Sequence, residues 1–145
     1  MSEREQLLPW VEQVAMYLAR DGVPPIAGRT LGWLMVCDPP EQSAGQITEA
    51  IGASRASLTS SLRLLTGMGF LTWRTRPGER TIYYRLADNA FALVVRQQIA
   101  GIAAFLQIAR AGEDLIGPDP RLKQAEATFA WMAAAFDNAP PLEER

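Results

Sequence analysis

The chain of 145 residues contains no histidine and a single cysteine. The first absence removes the side chain that most often serves as a general base near neutral pH. Together they leave too few nitrogen and sulfur ligands for the usual transition-metal clusters, and Cys37 has no imidazole partner to make it a nucleophile. One cysteine also excludes an intrachain disulfide, so a reducing compartment is the default. No uninterrupted apolar run approaches the roughly 18 residues of a membrane span, and the N-terminal MSEREQ is neither basic nor apolar. The sequence therefore predicts a cytoplasmic protein with no membrane attachment. A glycine loop that cradles phosphate is missing as well, because AGRTLG (27–32) lacks the strand context and spacing of a dinucleotide fingerprint or P-loop. Glu113 and Asp114 read as a solvated helix terminus rather than an acid/base pair. The expectation is a non-enzyme without metal or cofactor.

What is present is a hydrophobic content of 48%, enough for one domain with a real core. The net charge of -2 conceals a strong asymmetry. Residues 52–87 carry Arg55, Arg63, Arg74, Arg76, Arg80 and Arg85 against Glu79 alone, a local +5 set against -7 for the remainder. Such a distribution fits an anionic partner such as a phosphate backbone, and equally a solvated hairpin with scattered arginines.

Within that segment, Leu58, Leu62 and Leu65 fall on one stripe of a helix, and Arg55, Ala56, Thr59, Ser60 and Arg63 fall opposite. One face asks for a core and the other for a polar partner. Ser54 and Ser57 can start this helix, which stops at GMG (67–69). Ser43 and Gln46 form a capping-box signal for a preceding helix over 44–51, closed by Gly52. The short separation is that of a helix-turn-helix. Strands over 70–75 and 81–86, joined at Pro77 and Gly78, complete a winged helix. Upstream, helices are expected over 3–20 and 26–36, with Gly28 and Gly32 permitting the close approach of another helix. Downstream, a long helix from an Asp88 cap to about Gly112, broken by Gly112 and the GPDP stretch (117–120), and a last one over about 121–136 carry broad apolar faces. The fold class is mainly α (α+β): a winged helix-turn-helix whose DNA-binding module spans 22–87, with 3–20 and 88–137 forming a helical dimerisation arm in a single-domain chain. A homodimer would cover the apolar faces and present two reading helices.

In a DNA major groove arginine donates to guanine, serine and threonine serve either way, and alanine or a threonine methyl meets thymine. Arg55, Ala56, Thr59 and Ser60 are thus candidates for base edges. Ser43, Ser54, Ser57 and Arg63 suit phosphate. Arg74, Arg76, Gly78 and Arg80 form the wing: Arg76 and Arg80 flank its turn, where either can enter a minor groove or lie along the backbone, and Arg74 sits nearer the base, together with Arg85, for phosphate attraction or local ion pairing. Each also has a plainer role as a cap, a solvated residue or an ion-pair partner.

The stretches GVPPIAGRTLGWLMVCDP (22–39), QITEAIGASRASLTSSLRLLTGMGFL (46–71) and RPGERTIYY (76–84) resemble the MarR superfamily of winged-helix transcriptional regulators, and look most like its GbsR-type branch. The resemblance implies a dimer on a pseudo-palindromic promoter element that represses or occasionally activates transcription. It carries the reading-helix pattern onto Ser54, Arg55, Ser57, Thr59 and Ser60 and the wing onto 76–80. Gly28 and Arg29 match the branch's second helix, with helix packing and an ion pair as their plainer role. Typical members place arginine directly after the threonine, where this chain has Ser60, which shifts the burden of phosphate contact to Arg55 and Arg63. Regulators of this type are thought to hold a small-molecule effector at the junction between module and arm, and Tyr17, Arg29, Trp33 and Phe105 are the candidate contacts. Aromatic residues at helical spacing serve a core as readily. The competing functions are a winged-helix protein-interaction module without specific DNA binding and a small-molecule carrier with a vestigial DNA module.

Overall fold

A computed structural model describes residues 2–143. The element order is α1 (Glu3–Ala19), α2 (Pro25–Val36), β1 (Gln42–Ser43), α3 (Ala44–Ile51), α4 (Arg55–Met68), β2 (Leu71–Thr75), β3 (Ile82–Leu86), α5 (Ala90–Ile116) and α6 (Pro120–Asp137). The chain divides into two compact units, Met1–Ala90 and Phe91–Arg145. This is the expected winged helix-turn-helix with long flanking helices.

In the first unit local signals set the helix ends. Ser43 and Gln46 close the capping box at α3: Ser43 Oγ accepts from the Gln46 N–H at 3.2 Å, and Gln46 Oε1 accepts from the Ser43 N–H at 2.8 Å. Gly52 then takes the left-handed conformation that ends the helix. Ser54 caps α4 by accepting from the Ser57 N–H at 3.2 Å, and Gly69 (φ 96°) terminates it. The leucine stripe points where its spacing says it should, with Leu58, Leu62 and Leu65 buried beside Leu31, Ile47 and Phe70. Each fully buried side chain of this size contributes about 1.5–3 kcal/mol.

β2 and β3 are antiparallel with Trp73 opposite Tyr84 and Arg74 opposite Tyr83. The turn between them carries Pro77, then Gly78 at φ 79°, and a bond from the Glu79 N–H to Arg76 O at 3.0 Å, the pattern of a type II turn. A short third strand was not expected: β1 pairs with β3 through Gln42 and Tyr84 and gives the sheet order β1-β3-β2. α1 packs on α2 in this unit, and the small residues decide how closely. A Cβ on Gly28 would lie 2.8 Å from Ala15 Cα, and one on Gly32 3.1 Å from Val14 Cβ.

The second unit is a helical pair. Two expectations fail here. Gly112 does not end α5, which runs on to Ile116 and stops before Gly117 (φ 83°), because the space a Cβ at 112 would fill is taken by Leu122, its Cδ2 3.1 Å away. Glycine inside a helix costs about 1 kcal/mol, which such packing offsets. Asp88 is not the cap either: α5 starts two residues later, and the Asp88 carboxylate receives Arg85 at 3.4 Å. α6 is capped by Asp119, which accepts from the Arg121 N–H at 2.8 Å. Phe105 and Phe129 meet with ring centroids 4.6 Å apart, and Lys123 Nζ lies 3.0 Å from Glu113. Large apolar side chains remain exposed in this unit, among them Ile108 (64%), Leu115 (86%) and Trp131 (72%). Among the described residues α5 is the one helix long and apolar enough to cross a membrane, with a window of mean hydropathy 1.5 that is little buried.

Candidate nucleic-acid interface

The polar side of α4 stands free of the core. Arg55, Ala56, Ser57, Thr59, Ser60 and Arg63 are all exposed. Three depressions flank the helix. On the wing side a cleft of about 550 Å³ is lined by Ser43, Gly45, Arg55, Thr59, Arg80, Ile82 and Tyr84. Arg63 and Thr66 border a second hollow on that side with Trp73 and Tyr84. On the other side Ser57, Ser60 and Ser61 face Pro24 and Pro25 at the start of α2. Ala56 lines none of the three, so the helix forms a ridge with Arg55, Thr59 and Arg63 on its wing flank and Ser57 and Ser60 on the opposite one.

Hydroxyl chemistry limits what this ridge can offer. Thr59 donates its hydroxyl to Arg55 O at 2.9 Å, which leaves its lone pairs and methyl outward. Ser43 and Ser54 use their oxygens as helix caps, and each still has an O–H to donate to an external acceptor. Of the base-edge candidates only Arg55 brings several donors.

The arginines divide. Arg74 binds Glu41 with both ends of its guanidinium, Nε to Oε2 at 2.6 Å and Nη2 to Oε1 at 3.0 Å, and Arg76 Nη2 reaches the same Oε1 at 3.0 Å. Arg76 also lies over the Tyr83 ring, 3.6 Å from its centroid, a cation–π contact. The Arg74 hydrogen bond and the two neighbouring positive charges hold the Glu41 carboxyl below its usual range despite burial. A hydrogen bond with Glu79 raises the Tyr83 phenol. With Arg85 on Asp88, three of the six basic side chains are ion-paired, whereas Arg55, Arg63 and Arg80 form no ion pair among the described residues. Glu41 and Asp88 flank the basic segment in sequence and reduce its +5 to +3 in space. Of the two roles open to Arg74, phosphate attraction or local ion pairing, the structure has the ion pair, and Arg76 at the edge of the turn is held on the same carboxylate.

No protein-family model matches the chain. It is 32% identical over 144 residues to the HTH-type transcriptional regulator MmpR5 of Mycobacterium tuberculosis (strain ATCC 25618 / H37Rv), a match that covers 96% of this chain and 87% of the relative. It also superposes on a crystal structure described as that of a transcriptional regulator, with 32% identity, TM-score 0.76, and coverage of 92% of this chain and 94% of that one. The chain belongs to the MarR family of transcriptional regulators. It is a DNA-binding, winged helix-turn-helix regulator of transcription.

Two of the effector-site candidates in this MarR-type regulator already have internal partners. Arg29 forms a two-pronged ion pair with Glu12 of α1 at 2.7 and 3.0 Å. That pair raises the guanidinium's pKa and lowers the carboxyl's. Trp33 is buried and donates its indole N–H to Gln42 Oε1 at 2.7 Å. Together with the close packing of Gly28 on Ala15, these contacts give the Gly28–Arg29 pair its plainer role, joining α1 to α2. Tyr17 is exposed with Arg20 5.8 Å from its ring centroid, and Phe105 rests on Phe129. No group of three or more potential metal ligands occurs among the described residues of the regulator. Cys37 is buried, and burial pushes its thiol up to about 11.

The residue that sequence reasoning missed is Glu41. It lies 33 and 35 positions before its two partners, in the loop leading to β1. Only the pairing of β1 with β3, itself invisible in a two-residue strand, brings it to the wing.

Proposed function

We propose that this regulator acts as a cytoplasmic homodimer that reads a pseudo-palindromic operator, with repression as its main output and with affinities to the GbsR-like branch. The observation that carries the reading is the exposed ridge of α4 beside the wing cleft, where Arg55 and Arg80 line one depression. Arg55, Ala56, Thr59 and Ser60 meet base edges. Ser43, Ser54, Ser57 and Arg63 set the register on phosphate. Gly78 shapes the wing turn, and Arg80 is its DNA contact.

Dimerisation is supported by the apolar side chains that α5 and α6 leave exposed, Phe91, Ile108, Leu115, Ile116 and Trp131 among them, a set more economically covered by a second copy than by water. Coverage of this kind also accounts for the membrane-like composition of α5 without a bilayer. Two subunits then place their reading helices on half-sites about one helical turn, roughly 34–36 Å, apart. The small-molecule effector we propose for the regulator does not draw on the polar groups of Arg29 or Trp33, which Glu12 and Gln42 already hold. The alternative of a protein-interaction module calls for an apolar patch across α4, and that face carries arginine, serine, threonine and alanine instead.

Fluorescence anisotropy with the duplex from the regulator's own upstream intergenic region, against a scrambled duplex of equal length, tests the reading. Specific binding should exceed random binding by at least about a thousandfold and weaken steeply with salt. Equal binding to both duplexes refutes the sequence-specific claim, and a monomer by sedimentation velocity at micromolar concentration refutes the dimer.

A further inference from the structure

We infer that Glu41 is a specificity-determining positioning residue: by holding the guanidiniums of Arg74 and Arg76 it withholds them from DNA phosphate and leaves recognition to α4 and Arg80. The inference rests on the DNA-binding role of the chain and adds a residue that contacts no base.

The carboxylate is built for this task. Its side chain is only 11% exposed, while those of Arg74 and Arg76 are 65% and 39% exposed. The acceptor is therefore fixed inside the fold and the two donors would be open to an external anion without it. Its backbone is fixed as well, because the next residue, Gln42, pairs with Tyr84 in the sheet and has its side-chain amide held between the Trp33 N–H and Pro39 O. Strand alternation places Arg74 and Tyr83 on one face of the hairpin and Trp73, Tyr84 and Ile82 on the other. Ile82 and Tyr84 line the cleft shared with α4, so Arg74 lies on the face turned away from the reading helix. The Tyr83 ring keeps Arg76 beside the same carboxylate.

Phosphate contacts add affinity for every sequence alike, and each neutralised phosphate steepens the salt dependence by about 0.9. A regulator is useful through the ratio of operator to random binding, not through total affinity. Two wing arginines given to phosphate would raise the random term. Two arginines given to Glu41 do not.

The test is the slope of log K against log salt on the scrambled duplex, measured for the full-length protein. Glu41→Gln keeps the side chain's size and one carbonyl acceptor but removes the charge. It should bind the scrambled duplex more tightly, with a slope steeper by about 0.9 for each arginine released per subunit. The ratio of upstream to scrambled affinity should fall. Arg74→Gln in the otherwise native protein should leave the slope unchanged, which gives a second arm should Glu41→Gln fail to fold. The inference is overturned if Glu41→Gln weakens both duplexes equally with the native slope, the result of a purely structural clip, or if Arg74→Gln flattens the slope by about 0.9. A native protein that binds neither duplex overturns the DNA-binding role along with it, and is distinguished by failing before any variant is compared.

Discussion

The packing of α1 on α2 makes a prediction whose sign is set by geometry. Gly28 and Gly67 both sit inside helices, and replacing either with alanine gains up to about 1 kcal/mol of helix propensity. Their surroundings differ. A Cβ on Gly28 would come within 2.8 Å of Ala15 Cα and 3.1 Å of Ala15 Cβ, so the backbone of α1 itself must retreat. On Gly67 the new methyl meets nothing within 4 Å. Forcing an extra carbon into a closed contact costs about 1–3 kcal/mol. Gly67→Ala should therefore stabilise by about 0.5–1 kcal/mol, reduced by its place in the last turn, while Gly28→Ala nets a loss of up to about 2 kcal/mol. For a chain of this length 1 kcal/mol moves Tm by about 2–4 °C, so a gap of about 0.5–3 kcal/mol should separate the two melts by about 1–12 °C, with Gly28→Ala the lower. Circular dichroism melts at matched protomer concentration measure this, since association shifts apparent stability. If Gly28→Ala melts as high as Gly67→Ala, the close approach of α1 and α2 is not what glycine serves at position 28.

Three further outcomes follow from side chains already described. Arg55→Ala should lower affinity for the upstream duplex far more than for a scrambled one, by about 1–3 kcal/mol, whereas Arg80→Ala should weaken both and reduce the salt slope by about 0.9 per subunit; equal effects of the two variants on both duplexes reject that division. Because the Glu41 carboxyl is held below its unfolded value, the unfolded chain binds the proton more readily. Its contribution to stability is complete above the ordinary carboxylate range and is lost as pH falls from there through the lower folded value, so urea midpoints should drop more below about pH 5 for the native protein than for Glu41→Gln. With its thiol pushed up to about 11, Cys37 should react with iodoacetamide at pH 8 about two orders of magnitude more slowly in the native protein than in urea, and equal rates would place it at the surface.

The reading helix was legible because its information is local. Leucines at three- and four-residue spacing fix which side of α4 is buried, serine caps fix where α3 and α4 begin, and Gly52 and Gly69 fix where they end. The hairpin was legible from Pro77 and Gly78 for the same reason. What escaped notice depends on contacts distant in sequence. Gly112 looked like a helix stop because nothing near it in the chain announces Leu122. Arg29 and Trp33 read as ligand contacts because they are amphipathic side chains on helices expected to meet at the junction of module and arm; Glu12 and Gln42 hold their polar groups from α1 and β1. The small-residue spacing at Gly28 and Gly32 did announce a close helix, though not that α1 would be the one.

Charge shows the same separation of local from distant most sharply. A net charge of -2 predicts nothing about DNA binding, and even the +5 of residues 52–87 counts side chains without asking what faces them. At physiological ionic strength a charge farther than about 8 Å is largely screened, so acidic residues scattered over the rest of the surface have little hold on the DNA-facing arginines. A carboxylate at 2.6–3.0 Å is not screened, and one such group occupies two guanidiniums. On the reading proposed above, the potential offered to a duplex is then set by Arg55, Arg63 and Arg80, of which Arg55 and Arg80 line one cleft from opposite elements, α4 and the wing. Moving Glu41 by a strand register would change that potential more than exchanging several surface acids. On the inference drawn for Glu41, the short β1 strand, whose Gln42 is buried against Trp33, governs how strongly the wing attracts DNA.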